Sequence, residues 1–362
     1  MTHSIQVISW NILNPDPDFV KMSLRPIINQ SSEKRNFSTS IYEKSRKLAV
    51  INEKRYQTQR KPNILKIIED WFTQYPNRFV LCLQEVCGDM YAALLEIYGE
   101  NRVRITSTCD IKPKIIDGEI ILENIYDYRC TIISEDLVFL EYRDILLQTY
   151  ESHSERVNIR KNALYCKIRI AGIGVEFDCV NLHFFYTWTE EILQKIFQTI
   201  FSFLSQSQRF FICGDFNKPY ERIYGILGKI TVNNQDKRLY MPSPPLPAIS
   251  NNRQNSFTSF NTRLRNNRIN PPSVVNGFFS LQIIDHIIVG NRFSIPENPK
   301  IISKIKEREI FYNLSGIETM LRRHELLNLR NDNSNKILEE WQKRKFKNIS
   351  DHKPISAKIN IV

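Results

Sequence analysis

With 362 residues, 42% of them hydrophobic and 11% aromatic, the chain has ample material for a large core, which excludes global disorder. Fifty Lys and Arg against 39 Asp and Glu leave a formal charge of +11, which favours polyanionic partners such as nucleic acid, anionic lipid or phosphorylated small molecules. No apolar run approaches the ~18 residues of a membrane-spanning helix.

In chain order, strand-like runs rich in Val, Ile, Leu and Phe are predicted over residues 6–13, 78–86, 136–142, 162–170, 175–184, 209–213, 283–289 and 354–362. Helical spacing is predicted between several of them. Residues 56–75 place Ile64, Ile67, Ile68, Trp71 and Phe72 on one face. Residues 90–98 and 189–205 read similarly, the latter with Thr187 or Thr189 as its cap and Glu190 and Glu191 in its first turn. Three stretches read as insertions into a single domain: 15–54, 233–280 and 304–347. The mixture predicts an α/β layered domain with helices over its sheets. By itself it does not separate a doubly wound parallel sheet from other layered arrangements.

Seven cysteines, Cys82, Cys87, Cys109, Cys130, Cys166, Cys179 and Cys213, are odd in number and scattered, and most sit in apolar runs. They read as free, buried thiols of a reducing compartment. The N-terminal residues enter strand pattern at once, without a basic-then-apolar leader, so an intracellular location, cytoplasmic or nuclear, is expected.

The polar residues carry the functional signal, because they gather at strand ends. Asn11 closes the first run. In FVLCLQEV, period-two alternation predicts that Phe79, Leu81, Leu83 and Glu85 share a face. The same rule puts Asn181 and His183 together in VEFDCVNLHF, and Asp215 with Asn217 in FICGDFN. Asp285 interrupts the apolar run LQIIDHIIV, and Asp351 and His352 precede the last strand. Each feature alone has a plain structural explanation: GDxN is a turn composition, and a lone strand glutamate is usually a rim residue.

Glu85, Asp215, Asp285 and Asp351 would repel one another if gathered without a cation. Oxygen donors with asparagine beside them suit Mg²⁺, with Mn²⁺ as a substitute, rather than zinc. Histidines beside a phosphate can donate to oxygens whose charge grows in the transition state. The combination reads as metal-assisted hydrolysis of a phosphate ester.

Taken as an ordered set, SWNIL, LQEV, NLHF, GDFN, IDHIIV and SDHKP resemble the endonuclease/exonuclease/phosphatase superfamily, the DNase I-like metallophosphoesterases, over nearly the whole chain. The resemblance implies a four-layer α/β sandwich: two mainly antiparallel sheets packed face to face, with helices outside. It implies Glu85 as principal metal ligand, supported by Asn11, and Asp351 as a second carboxylate on the metal side. It makes Asp215 the group that orients or deprotonates the attacking water and Asn217 the residue positioning that water or the phosphate. Asn181 and His183 would contact the phosphate, Asp285 would bind metal or orient His352, and His352 would polarise the phosphate. One or two metal ions fit this pattern.

The basic helix before LCLQEV, and SFTSFN followed by IDHIIV, resemble the deadenylase and nocturnin-like branch, whereas SDHKPISA resembles the ending of inositol polyphosphate 5-phosphatases. The favoured substrate is nucleic acid, RNA ahead of single-stranded DNA. Arg253, Arg263 and Arg265, with Phe257, would form a strip for phosphate contact and base stacking. An inositol phosphatase and a catalytically silent scaffold are the alternatives.

Overall fold

The computed structural model describes residues 3–12, 56–107, 111–116, 119–124, 128–151, 158–185, 188–204, 207, 209–232, 239–240, 259–261, 280–282, 285–297, 299–302, 304–305, 308–309 and 354–361. The 15–54 insertion lies outside these residues, as do most of 233–280 and 304–347.

Two sheets form the middle of the molecule. The first is built around β1 (His3–Asn11), which pairs in parallel with β2 (Phe79–Val86) and antiparallel with the C-terminal strand Ile355–Ile361. Beyond β2 come Tyr128–Ile133 and then β3 (Val103–Ile105), both antiparallel to their neighbours. In the second sheet, Glu176–His183 pairs in parallel with Arg209–Asp215, which in turn pairs antiparallel with Asp285–Asn291. The long hairpin of Leu137–Glu151 and Asn158–Ile170 completes the other side. Further short strands extend one edge of each sheet. Antiparallel pairing dominates both sheets, as the family resemblance implies, and a doubly wound parallel sheet is ruled out.

Each sheet contains a parallel pair, and such a pair needs a crossover. A helix supplies each one. Helix α1 (Lys61–Gln74) links β1 to β2, following a π-helical turn at Tyr56–Arg60. Helix α2 (Gly88–Tyr98) follows β2 directly. Helix α3 (Glu190–Phe203) links Glu176–His183 to Arg209–Asp215. Its N-cap is Thr189, whose hydroxyl accepts from the Ile192 N–H at 3.5 Å. Helix α4 (Tyr220–Val232) follows the second member of that pair.

The apolar residues sort into three layers. Ile8, Trp10, Phe79, Leu81 and Leu83 pack beneath α1 and α2, with Trp10 and Trp71 in edge contact at 5.5 Å. Val180, Leu182, Phe210 and Ile212 pack beneath α3 and α4. The alternate residues of the same strands, among them Val7, Val80, Cys82, Phe177, Cys179, Phe211 and Cys213, fill the space between the sheets. Period-two alternation, with apolar residues on both faces, is what lets each strand serve two cores at once.

Six cysteines, all but Cys109, are free and buried among the described residues. Burial pushes the Cys130 and Cys166 thiols up, which keeps them neutral. No helix among the described residues is long and apolar enough to cross a membrane.

Candidate active site

The two parallel pairs end at the same edge of the sandwich, and the expected polar residues lie on those ends. Asn11 is the last residue of β1 and continues the inner face of Val7 and Ser9. His183 and Asp215 are register partners at the ends of their parallel strands, and Asp285 opens its strand directly opposite Asp215. Side chains at paired positions share a face, so His183, Asp215 and Asp285 all point inward, toward the first sheet.

Glu85 reaches the same place by a different route. Strict alternation would leave it with Leu83, under the helices. Instead the pairing of β2 with Tyr128–Ile133 shifts register between Leu83 and Val86, and Glu85 has φ 56°. A β-bulge re-aims a side chain in this way. The left-handed conformation costs a non-glycine residue about 1–2 kcal/mol. Phe79, Leu81 and Leu83 therefore share one face, as expected, and lie under the helices, whereas Glu85, expected on that same face, is turned off it by the bulge.

One amide ties the two sheets' carboxylates together. The Asn11 side-chain nitrogen donates to Glu85 Oε1 at 2.9 Å and to Asp215 Oδ2 at 3.0 Å. The atom facing two carboxylates has to be the nitrogen, since an amide oxygen would be repelled. His183 Nε2 lies 3.8 Å from Glu85 Oε1 and 3.6 Å from Asp215 Oδ2, beyond direct hydrogen-bond reach but within close electrostatic range. Asp215 is 1% exposed, whereas the Glu85 side chain retains 22% of its surface. The cluster is thus rooted in the core and opens at Glu85.

The GDFN turn fixes Asp215 from the other side. Its Oδ1 accepts from the Asn217 N–H at 2.8 Å, an Asx-turn, and Asn217 itself has φ 50°. The Asn217 amide nitrogen donates to the Phe184 carbonyl at 2.7 Å, which ties the turn to the residue after His183.

Asn181 departs from expectation. It is fully buried, its nitrogen donates to the carbonyls of Leu83 and Cys130, and its oxygen accepts from Gln84. It forms part of the floor beneath the site and does not face the cleft as a phosphate contact would. Asp351, His352, Arg253, Arg263, Arg265 and Phe257 lie outside the described residues.

Three supporting residues have roles that the sequence pattern does not disclose. Gln84 bridges the sheets, and its place in the alternation of Val80 and Cys82 was the available signal. Arg60, 3% exposed on the π-helical turn, donates to the Ile12 carbonyl at 3.1 Å and holds the chain just past Asn11. His286, next to Asp285, projects to the helix side. There its Nε2 donates to the Lys218 carbonyl at 2.8 Å, and its ring meets Phe216 edge-on.

Burial holds His286 well below the usual imidazole range, at about 4, against smaller opposing effects from the Lys218 carbonyl and Asp285. The unfolded chain binds this proton from about pH 6.5 downward, and the folded protein does not until about pH 4. Stability is therefore expected to fall as the pH is lowered through that window, by up to about 1.4 kcal/mol per unit from this group. Urea unfolding of the parent and of His286→Gln from pH 7 to 4.5 checks it. The parent should lose stability more steeply than the variant, and parallel slopes would refute the assignment.

The donor set fits a hard divalent cation. Glu85 and Asp215 bring carboxylate oxygens together from opposite sheets, with the neutral Asn11 amide between them. Among the described residues, no group of three or more His, Cys, Asp and Glu closes a metal cage. Mg²⁺ does not require one, since it typically takes one or two carboxylates and completes its shell with water and phosphate oxygen.

The family model described as "Endonuclease/Exonuclease/phosphatase family" matches residues 8–352. No curated protein sequence matches the chain. Among solved structures, an endonuclease/exonuclease/phosphatase from Bacteroides vulgatus aligns with TM-score 0.54 at 14% identity, covering 99% of this chain and 100% of the other. A mannosyl-6-phosphatase from Bacteroides thetaiotaomicron aligns with TM-score 0.52 at 11% identity, covering 98% and 99%. TDP2 from D. rerio, complexed with single-strand DNA product, aligns with TM-score 0.50 at 12% identity, covering 99% of each chain. At these identities the likeness is one of fold.

Proposed function

The chain belongs to the endonuclease/exonuclease/phosphatase family of metal-dependent phosphoric ester hydrolases, and from that premise we propose that it cleaves phosphodiester bonds of nucleic acid, RNA ahead of DNA. The observation that carries the reading is the meeting of Asn11, Glu85, His183 and Asp215 at one edge of the sandwich, drawn from four strands and both sheets.

Glu85 is the ligand that would hold Mg²⁺, with Asn11 beside it and Asp351 as the second carboxylate. When bound, the cation neutralises the site and polarises a phosphate oxygen. Asp215 takes a proton from the water that attacks phosphorus, while Asn217 holds the turn on which that carboxylate sits. A new P–O bond forms to the water oxygen and the ester P–O bond breaks. The departing oxygen takes a proton from solvent or from an acid in the site. His183 donates a hydrogen bond to a phosphoryl oxygen, and His352 makes a similar contact, with Asp285 in support. Asn11 keeps the two carboxylates at fixed separation before substrate arrives. Such preorganisation matters because displacing a catalytic group by about an ångström can cost ~10²-fold in rate.

The fold accommodates more than one substrate class, so it does not select among them. The +11 charge supports a polyanion over a small sugar phosphate. Arg253, Arg263, Arg265 and Phe257 are the proposed backbone and stacking contacts.

The test incubates the protein with 5′-labelled RNA and DNA oligonucleotides, soluble inositol phosphates and sugar phosphates, in Mg²⁺ and in EDTA. Shortened RNA in Mg²⁺ and intact RNA in EDTA are expected. Phosphate release from monoesters with intact oligonucleotides would overturn the substrate assignment. Undiminished cleavage in EDTA would overturn the metal assignment.

A further inference from the structure

We propose that Asn181, reaching across from the opposite sheet, and Gln84, beside the bulge in β2 itself, are positioning residues that hold Glu85 in place. The proposal rests on Glu85 being a metal ligand. In β2, Leu83 pairs with Cys130 at the last regular step before the bulge. The Asn181 side-chain nitrogen, coming from the facing sheet, donates to both members of that pair: to the Leu83 carbonyl at 3.1 Å and the Cys130 carbonyl at 2.9 Å. An amide nitrogen has two hydrogens, and both are used here. Two carbonyls can accept only from the nitrogen end, so the orientation of the amide is fixed.

Gln84 secures this amide from the other side. Its nitrogen donates to Asn181 Oδ1 at 2.8 Å and to Ser9 Oγ at 3.2 Å, and also lies 3.2 Å from the Cys82 carbonyl. The Gln84 backbone carbonyl in turn accepts from the Ile12 N–H at 3.1 Å, one residue past Asn11. Ser9, Gln84 and Asn181 are all fully buried. The polar cluster therefore replaces apolar packing between the sheets at one level, directly below the carboxylates.

Its geometric consequence is specific. Glu85 follows Gln84, and its left-handed backbone persists only if the residues before it cannot relax. Asn181 pins Leu83, and Gln84 is pinned to Asn181, so the two residues preceding Glu85 are both anchored to the strand that carries His183. The distance from Glu85 to His183 and Asp215 is thereby set by side-chain hydrogen bonds between sheets. Groups that bond a metal ligand directly typically change metal affinity by ~10- to 100-fold when removed, and Asn181 and Gln84, which act through the backbone that carries the ligand, are expected at the lower end of that range.

The test measures Mn²⁺ binding by water-proton relaxation without substrate. Asn181→Leu keeps the approximate shape and removes the donors. Its Mn²⁺ Kd is expected to rise ~10-fold or more, with circular dichroism unchanged. In turnover, the Mg²⁺ concentration for half-maximal rate should rise with it, while KM for substrate at saturating Mg²⁺ stays within about twofold. A parental Mn²⁺ Kd with a raised KM would overturn the proposal and return Asn181 to direct phosphate contact. Should Asn181→Leu fail to fold, Gln84→Leu, which leaves the Asn181 donors in place, must raise the Mn²⁺ Kd several-fold. An unchanged value there overturns the proposal equally. Glu85→Ala separates this from the underlying reading. If Glu85→Ala binds Mn²⁺ like the parent, the metal assignment fails. If it loses Mn²⁺ while the Asn181 and Gln84 variants keep it, only the positioning role fails.

Discussion

Asp215→Asn is expected to lower kcat by ~10³-fold or more, in the range set by removal of a general base, while the variant stays folded. The side chain is nearly isosteric, so the fold is little perturbed. Its oxygen can still accept from the Asn217 N–H and preserve the turn. Its new NH₂ group, however, faces the Asn11 nitrogen that now donates to Oδ2 at 3.0 Å, and two donors cannot share that contact. The loss of this hydrogen bond to a carboxylate costs about 1.5–3 kcal/mol. Against it stands the removal of a nearly buried negative charge that shares the Asn11 amide with Glu85. These effects oppose each other, so the metal-free variant should melt close to the parent or above it, the usual relation where a site is tuned for chemistry at the expense of stability. Steady-state kinetics and thermal melts in EDTA supply both numbers. Turnover within ~10-fold of the parent would remove Asp215 from the mechanism, and an unfolded variant would make it structural.

How far the sequence discloses this site depends on which rule places each residue. Asn11, His183 and Asp215 follow period-two alternation from apolar neighbours that fill the space between the sheets, so their common face is legible from the residue pattern alone. Glu85 is not, because alternation fails at a bulge, and nothing in LQEV announces a glutamate with positive φ. Asn181 obeys the alternation and still differs from expectation. A strand pattern gives the face of a residue but not its depth, and Asn181 lies two residues deeper than His183. His286 sits on the opposite face from Asp285 and serves the loop after Asn217. Helix α4 is likewise not among the helices the sequence predicts, although Ile223, Ile226, Leu227 and Ile230 are buried at helical spacing. Gly225, Gly228 and the β-branched residues at its end weaken the local helix signal, and packing against the second sheet supplies what propensity does not. The mixture of strand and helix patterns implies a layered α/β domain, but the four-layer sandwich follows only from the ordered motif set, because alternation alone does not say which sheet a strand joins.

Gly214→Ala is expected to be the most destabilising single-methyl addition at the site, by about 3 kcal/mol or more, with a fall in Tm of roughly 4 °C or more. Gly214 has φ 146°, a conformation that side-chain-bearing residues rarely adopt. A Cβ built there would lie 1.9 Å from the Leu182 carbonyl oxygen and 2.8 Å from its carbon. The obstacle is the backbone of the neighbouring parallel strand, whose register partner to Gly214 is Leu182 itself, so it cannot rotate aside as a side chain would. Relief requires the two strands to separate where Asp215 and His183, the next residues on each, face one another. Stability and activity should therefore fall together, in contrast to Asp215→Asn. Gly225→Ala is the matched control: it lies within α4 with nothing within 4 Å of a built Cβ, and alanine there should stabilise by about 0.5–1 kcal/mol through helix propensity. Urea unfolding of both variants beside the parent decides it. If Gly214→Ala unfolds at the parental midpoint, the glycine is not required by strand approach, and the fixed spacing between His183 and Asp215 needs another cause.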